Sequence, residues 1–345
     1  MPGICTRGAG AKKYITLLNL KLVRNPLVFE LVIFITIAFA SLQGFGQDTE
    51  RKDVTFKSEG LNCSGWYYVP KNAKRGEKHP AIVMAHGISG VKEMNLDGFA
   101  RRFAGAGLIV LVFDYRFQGA SEGEPRGQIF YSDQITDYRN AISWLSLQAE
   151  VDTGRLGVWG TSFSGAHALC VAALDKRVKA VVVQAPYAGT SRENMIARIE
   201  RNDHWYVQNR MEKYTKNVTN YMPMVDSAGK FAVLPQKEAY EWFTKTAKEQ
   251  APNWKNQITI ESLDKNNEYN PQFYVPLISN TPLLMIIASH DIITSTEDEK
   301  KMFELAKTNK KLIIVEGGHF DAYQGPAFEK FSRPAVEWFT QYLKP

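Results

Sequence analysis

The sequence predicts an α/β protein: a mostly parallel, eight-stranded sheet with helices on both faces and an inserted helical cap. Three observations carry that reading. Continuous Val/Ile/Leu runs alternate with segments of helical spacing from about residue 50 to the end, the pattern of a parallel sheet covered on both faces. The run Leu156-Gly157-Val158-Trp159 leads into Gly160-Thr161-Ser162-Phe163-Ser164-Gly165, a buried strand closed by a tight turn that lifts one serine onto the start of a helix. From about Tyr187 to Ser279 the strand pattern stops and aromatic residues accumulate.

In chain order, Val54–Phe56 and Leu61–Val69 are predicted to pair antiparallel at a sheet edge. Ala81–Ala85 is a predicted buried strand, Phe99–Ala106 closes a helix, and Leu108–Phe113 is the next strand. Ile135–Leu147 has helical spacing. Leu156–Trp159 is the strand before the tight turn, Ser162–Leu174 the helix after it, and Val178–Val183 a further strand. The sheet resumes at Pro282–Ile287, followed by a helical pattern over Thr296–Ala306, a last strand at Lys311–Val315 and a terminal helix over Phe328–Leu343. These assignments divide the mature chain into a core, 47–186 and 280–345, and a cap, 187–279. The cap carries Trp205, Tyr206, Tyr240, Trp242 and Trp254. It is expected to lie over the active site because its two ends flank adjacent strand tips; a helical appendage packed away from the site is the alternative.

Residues 1–46 read differently. Arg7, Lys12, Lys13, Lys21 and Arg24 precede the apolar run Leu31–Ala40, and small residues follow. Basic, apolar, then small is the layout of a secretory signal peptide, with cleavage expected after Ala40 or Gly46. The unbroken run is shorter than the ~20 residues of a membrane span, so an exported protein, periplasmic or secreted, is expected, with no stable span after processing. An uncleaved signal acting as a membrane anchor is the alternative. Removing this segment's net +4 from the chain's +6 leaves about +2. The mature body is therefore nearly neutral, and no basic patch points to nucleic acid.

Hydrophobic content of 44% and charged content of 23% are ordinary for a globular protein. Cys63 and Cys170 remain after processing. Neither has metal or C-x-x-C spacing, and whether they pair is left open. No metal-ligand cluster, Walker loop or dinucleotide G-x-G-x-x-G is present, so neither metal nor cofactor is expected.

A serine hydroxyl needs a base to take its proton, and the base needs a third group to orient it. Ser162 is the expected nucleophile. Of the six histidines, His79, His86, His167, His204, His290 and His319, His319 is the expected base, in a glycine-bearing loop just beyond the last strand. Asp291, at the end of the preceding strand, is the expected acid; Asp321 is a rival, too close in sequence to reach the ring easily. The oxyanion needs two converging N–H donors. Those expected are the amide of Phe163 and that of Ile88, in the loop His86-Gly87-Ile88-Ser89-Gly90. Structural roles are expected for His86, His167 and Asp114.

With these residues placed, the chain resembles the α/β-hydrolase superfamily from about residue 53 onward. More narrowly it is similar to its dienelactone-hydrolase-like and Xaa-Pro dipeptidyl-peptidase-like branch, which includes fungal polyketide transferases. The matching segments are His86–Glu93, Val112–Arg116, Trp159–Gly165 and Gly317–Asp321. Ser164 departs from the G-x-S-x-G pattern. The resemblance implies a serine hydrolase acting on a small-molecule ester or related acyl compound. A peptidase or an acyltransferase with the same triad is the alternative, and a non-catalytic binding protein on the same fold is a third reading. A peptidase gripping a free N-terminus would need cap acids such as Glu193 or Glu200 facing the site.

Overall fold

A computed structural model describes residues 49–344, apart from Asn72 and Lys230; the expected leader over residues 1–46 lies outside the described residues. Eight strands form the main sheet. They are β1 (Glu50–Ser58), β2 (Leu61–Val69), β3 (His79–Ala85), β4 (Ile109–Phe113), β5 (Val151–Thr161), β6 (Val178–Gln184), β9 (Leu283–Ala288) and β10 (Lys310–Val315). Their order is β1-β2-β4-β3-β5-β6-β9-β10. β1 pairs antiparallel with β2, and β2 with β4; the other pairs are parallel. Every residue of β4 and β9 is buried, whereas edge strand β1 is mostly exposed, as a two-face-covered centre and a solvated edge require.

The core has two layers because strand side chains alternate between faces. Val83, Leu111, Val158, Val181 and Met285 pack on one face, with Tyr138 and Leu145 of α2 (Tyr131–Ser146) and with α3 (Phe163–Leu174). Ile82, Val110, Trp159, Val182 and Ile286 pack on the other, with Phe99 and Phe103 of α1 (Leu96–Gly105) and Phe331 and Phe339 of α8 (Gly325–Leu343). Strand β5 starts well before its apolar run, because His79 pairs with Val151 across a register shift. After the buried Val151, residues Asp152 to Gly154 are at least partly exposed, so the hydrophobic pattern is interrupted there and cannot mark the strand's start.

Between β6 and β9 the chain leaves the sheet. It forms α4 (Arg192–Lys216), the two-residue strands β7 (Tyr221–Met222) and β8 (Ile258–Thr259), α5 (Lys237–Glu249) and α6 (Ile260–Asn266). α4 has Ser191 as an N-cap accepting from Asn194 N and ends at a left-handed Asn217, both standard devices. α5 brings Trp242 against Phe320 and Tyr323, with ring centroids 4.8 and 5.0 Å apart. α7 (Thr296–Glu304) follows β9. Among the described residues, no helix is long and apolar enough to cross a membrane.

Candidate active site

Ser162 occupies the turn between β5 and α3 with φ 55 and ψ −123, a conformation most side chains avoid and one that marks a strained functional turn. Neighbouring backbone holds it there. Ser162 N donates to Gln184 O at 2.9 Å, and Ser162 O accepts from Gly165 N and Tyr187 N, each at 2.9 Å. The turn also requires glycine at two places. A Cβ on Gly160 would stand 2.1 Å from Ser164 O, and one on Gly165 would stand 2.8 Å from Pro186 Cβ.

Ser164 takes the position that G-x-S-x-G gives to glycine, and its surroundings explain why. The residue is fully buried. Its hydroxyl donates to the His86 carbonyl and accepts from the Tyr115 hydroxyl. A glycine here would fit but would leave both partners unmatched. The hydroxyl therefore ties the turn to the loop after β3. That loop passes directly against the nucleophile: a Cβ on Gly87 would lie 2.9 Å from Ser162 Cβ and 3.3 Å from its Oγ. Among the described residues, neither the Ile88 nor the Phe163 amide has a hydrogen-bond acceptor.

The loop is anchored from below by a buried charge cluster. Asp114, after β4, accepts from Lys92 N and Nζ, both at 2.7 Å, and from Ala120 N at 3.0 Å. Burial works against the Lys92 charge, but Asp114 outweighs it and holds the ammonium above its ordinary value. His86 Nε2 lies 3.7 Å from Asp114 Oδ1, and burial lowers the imidazole's pKa. Asp114 thus braces the loop from within the fold, and His86, which it holds, also lines the small cavity at Ser162.

Asp291 lies just beyond β9 and is buried. Its Oδ1 accepts from the amides of Ile293 (2.8 Å) and Thr294 (2.9 Å). Its Oδ2 accepts from Thr294 Oγ1 at 2.9 Å and faces His319 Nδ1 at 2.6 Å. Burial pushes the carboxyl up, but His319 and the two amides outweigh it and hold the group below the usual carboxylate range. His319 is itself buried. It shares one small cavity with Ser162, walled by Gly87, Ile88, Trp242, Phe320 and Tyr323. Asp321 turns back into its own loop, accepting from Gly318 N at 2.8 Å. His290 is exposed and pairs with Glu316 at 3.3 Å.

Sequence reasoning missed three features. Glu299 on α7 is fully buried behind Asp291, with Oε1 3.0 Å from Thr294 Oγ1. Burial first, then the Asp291 charge, raise its carboxyl well above the ordinary range, while the hydrogen bond it accepts from Thr294 Oγ1 works the other way. Glu238 on α5 lies near His319 with Oε1 buried and unpartnered, its carboxyl raised chiefly by burial. A second cavity of about 760 Å³ opens on Ser162, Ile88 and Phe163 and is roofed by α4 through Arg198, Arg201, Asn202, Trp205 and Tyr206. That spacing of i, i+3, i+4, i+7 and i+8 marks one helix face and was the available signal.

Other candidates fall into place as packing. His167 is fully buried between Gln134 Oε1 (2.9 Å) and the Tyr269 hydroxyl (3.0 Å), and burial lowers its pKa to about 3. Cys63 and Cys170 are buried free thiols. Among the described residues no group of His, Cys, Asp and Glu is arranged to hold a metal ion.

The mostly parallel eight-stranded sheet and the strained serine turn between β5 and α3 define an α/β-hydrolase. The profile of the X-Pro dipeptidyl-peptidase (S15) family matches residues 66–321, and the chain belongs to that family. The thiohydrolase aneE of Aspergillus aculeatus is 33% identical over 315 residues, covering 86% of this chain and 96% of the relative. The polyketide transferase ATR5 of Stachybotrys chlorohalonatus is 29% identical over 305 residues, covering 85% and 98%. The crystal structure of the α/β-hydrolase GrgF from Penicillium superimposes with a TM-score of 0.74 at 27% identity, covering 85% of this chain and 99% of that one.

Proposed function

We propose that this protein is a serine hydrolase that cleaves esters or related acyl compounds through Ser162, His319 and Asp291. The observation that carries the reading is the buried 2.6 Å contact between His319 Nδ1 and Asp291 Oδ2, on an imidazole that shares its cavity with Ser162. Ser162 Oγ attacks the substrate carbonyl while His319 Nε2 takes its proton. Asp291 keeps Nδ1 protonated and stabilises the imidazolium. The amides of Ile88 and Phe163, both without acceptors among the described residues, receive the oxyanion, a contribution of about 3 kcal/mol per donor. His319 then protonates the leaving group, and water, activated by the same imidazole, releases the acid and regenerates Ser162.

Ester and thioester substrates are favoured over peptides. Among the described residues, Glu193 and Glu200, two examples of the cap acids a free N-terminus would call for, line neither cavity at Ser162; Glu238, a cap acid near His319, keeps a peptidase as a further reading. The relatives, named as a thiohydrolase and a polyketide transferase, support acyl transfer and keep an acyltransferase as the second reading. A panel of p-nitrophenyl esters, acyl thioesters and Xaa-Pro anilides tests this. Ester or thioester turnover that disappears in Ser162→Ala supports the reading; turnover unchanged by that substitution contradicts it. Rate acceleration by an added alcohol or amine would select the transferase.

We also infer that the chain is exported through residues 1–46, on the basic–apolar–small order of that segment. Amino-terminal sequencing of the protein recovered from a secreting host is expected to begin at Ser41 or Gln47. Recovery of the whole chain from the cytoplasm would contradict it.

A further inference from the structure

The cavity of about 760 Å³ beside Ser162 has an unusual charge balance. The α4 face that roofs it presents Arg198 and Arg201, and among its described lining residues there is no aspartate or glutamate. Arg198 Nε and Nη2 are buried with no hydrogen-bond partner. Later cations of the same helix are matched by acids of α6: Arg210 by Asp264 and Lys213 by Glu261. Among the described residues, Arg198 and Arg201, the α4 cations that line this cavity with Ser162, form no ion pair with a carboxylate. Burying guanidinium donors without an acceptor is costly, so a helix that keeps them there points to an acceptor arriving with the ligand. Arginine's planar fork matches a carboxylate with two parallel hydrogen bonds. The remaining walls include Trp205, Tyr206, Met222, Phe231 and Leu234, which suit hydrocarbon.

We infer that the preferred substrates are acyl compounds whose acyl chain ends in a carboxylate, held by Arg198 with Arg201 beside it while the scissile carbonyl meets Ser162. The inference rests on the hydrolase reading above and adds its substrate class. Asn202, Gln236, Asn266 and Asn267 also line the cavity, so neutral polar donors surround the arginines without neutralising them.

The test compares p-nitrophenyl octanoate with the mono-p-nitrophenyl ester of octanedioic acid, which share chain length and leaving group. The wild type is expected to favour the acid-tailed ester at least tenfold in kcat/KM. That ratio is expected to fall tenfold or more in Arg198→Gln and less in Arg198→Lys, which keeps the charge but loses the fork. A wild-type ratio at or below one overturns the inference. So does a ratio unchanged in a folded Arg198→Gln. A second readout needs no turnover: octanoate anion, titrated against tryptophan fluorescence, is expected to bind Arg198→Gln at least tenfold more weakly than wild type, and equal binding overturns the inference. Loss of hydrolysis of both esters together with intact octanoate binding would instead sink the hydrolase reading and leave the anion site standing. A phosphate-bearing leaving group that raises kcat/KM while the acid tail does not would assign the arginines to the leaving-group side and also overturn it.

Discussion

Replacing Ser164 with alanine removes one oxygen from the molecule and is expected to damage both stability and turnover. The hydroxyl is fully buried, donates to the His86 carbonyl and accepts from the Tyr115 hydroxyl. Tyr115 is also buried, and alanine leaves no room gained for water beyond one oxygen's volume. Each stranded partner costs about 1–3 kcal/mol, and part of that is recovered by small rotations, so a loss of about 2–4 kcal/mol is expected. The functional effect follows from the tether. His86 leads into Gly87 and Ile88, whose backbone runs against Ser162. One full oxyanion donor is worth roughly 10²–10³ in kcat; a loosened donor is expected to cost about tenfold, with KM changing less. Ser164→Gly, which would restore the common G-x-S-x-G spacing, is expected to lose at least as much stability, since it removes the same hydroxyl and adds glycine's helix cost of about 1 kcal/mol. Urea unfolding and steady-state hydrolysis of p-nitrophenyl butyrate give both numbers. An alanine variant within about 0.5 kcal/mol of wild type and of equal kcat would refute the reasoning.

Gly87→Ala would set a methyl group 2.9 Å from Ser162 Cβ; kcat is expected to fall at least about tenfold while the melting transition stays cooperative, and unchanged kcat would count against the close approach. Asp291→Asn keeps the shape but loses the negative charge facing His319 Nδ1, so kcat is expected to fall on the order of 10²–10⁴; a fall under twofold in the ester assay contradicts Asp291 as the orienting acid. Glu299→Gln tests the buried acid behind the site. Its carboxyl is raised in the fold, chiefly by burial, so the unfolded chain sheds its proton first as pH rises above the ordinary carboxylate range, and the wild type loses stability from there through the folded pKa. Glutamine mimics the protonated group, so by urea unfolding it should gain on wild type at pH 8 relative to pH 5; an equal difference at both would contradict a raised Glu299 carboxyl.

Much of the sheet could be read from sequence because β3, β4, β6 and β9 are nearly continuous apolar runs buried on both faces. The serine turn between β5 and α3 could be read because its sterics demand glycine at 160 and 165. The start of β5 could not, since Asp152 to Gly154, at least partly exposed after Val151, interrupt the hydrophobic pattern. Ser164 was noticed as a departure, yet its role depends on Tyr115 and the His86 carbonyl, which only the folded chain brings together. Glu299 stands in the acidic run Glu297-Asp298-Glu299, where nothing in the sequence sets it apart from its neighbours; its burial follows from how α7 packs beside β9. The arginine face of α4 was concealed because an aromatic-rich cap suggests apolar contents, whereas the helix turns both kinds of side chain toward the same cavity.

The account's central claim is that Ser162 is an activated nucleophile. Treating the folded protein with a fluorophosphonate and locating the adduct by peptide mass spectrometry tests it most directly. One phosphonyl group per chain is expected on Ser162, lost in Ser162→Ala and slowed in Asp291→Asn. A folded wild type that takes up no label, or takes it on another serine while Ser162 stays unmodified, would contradict the claim.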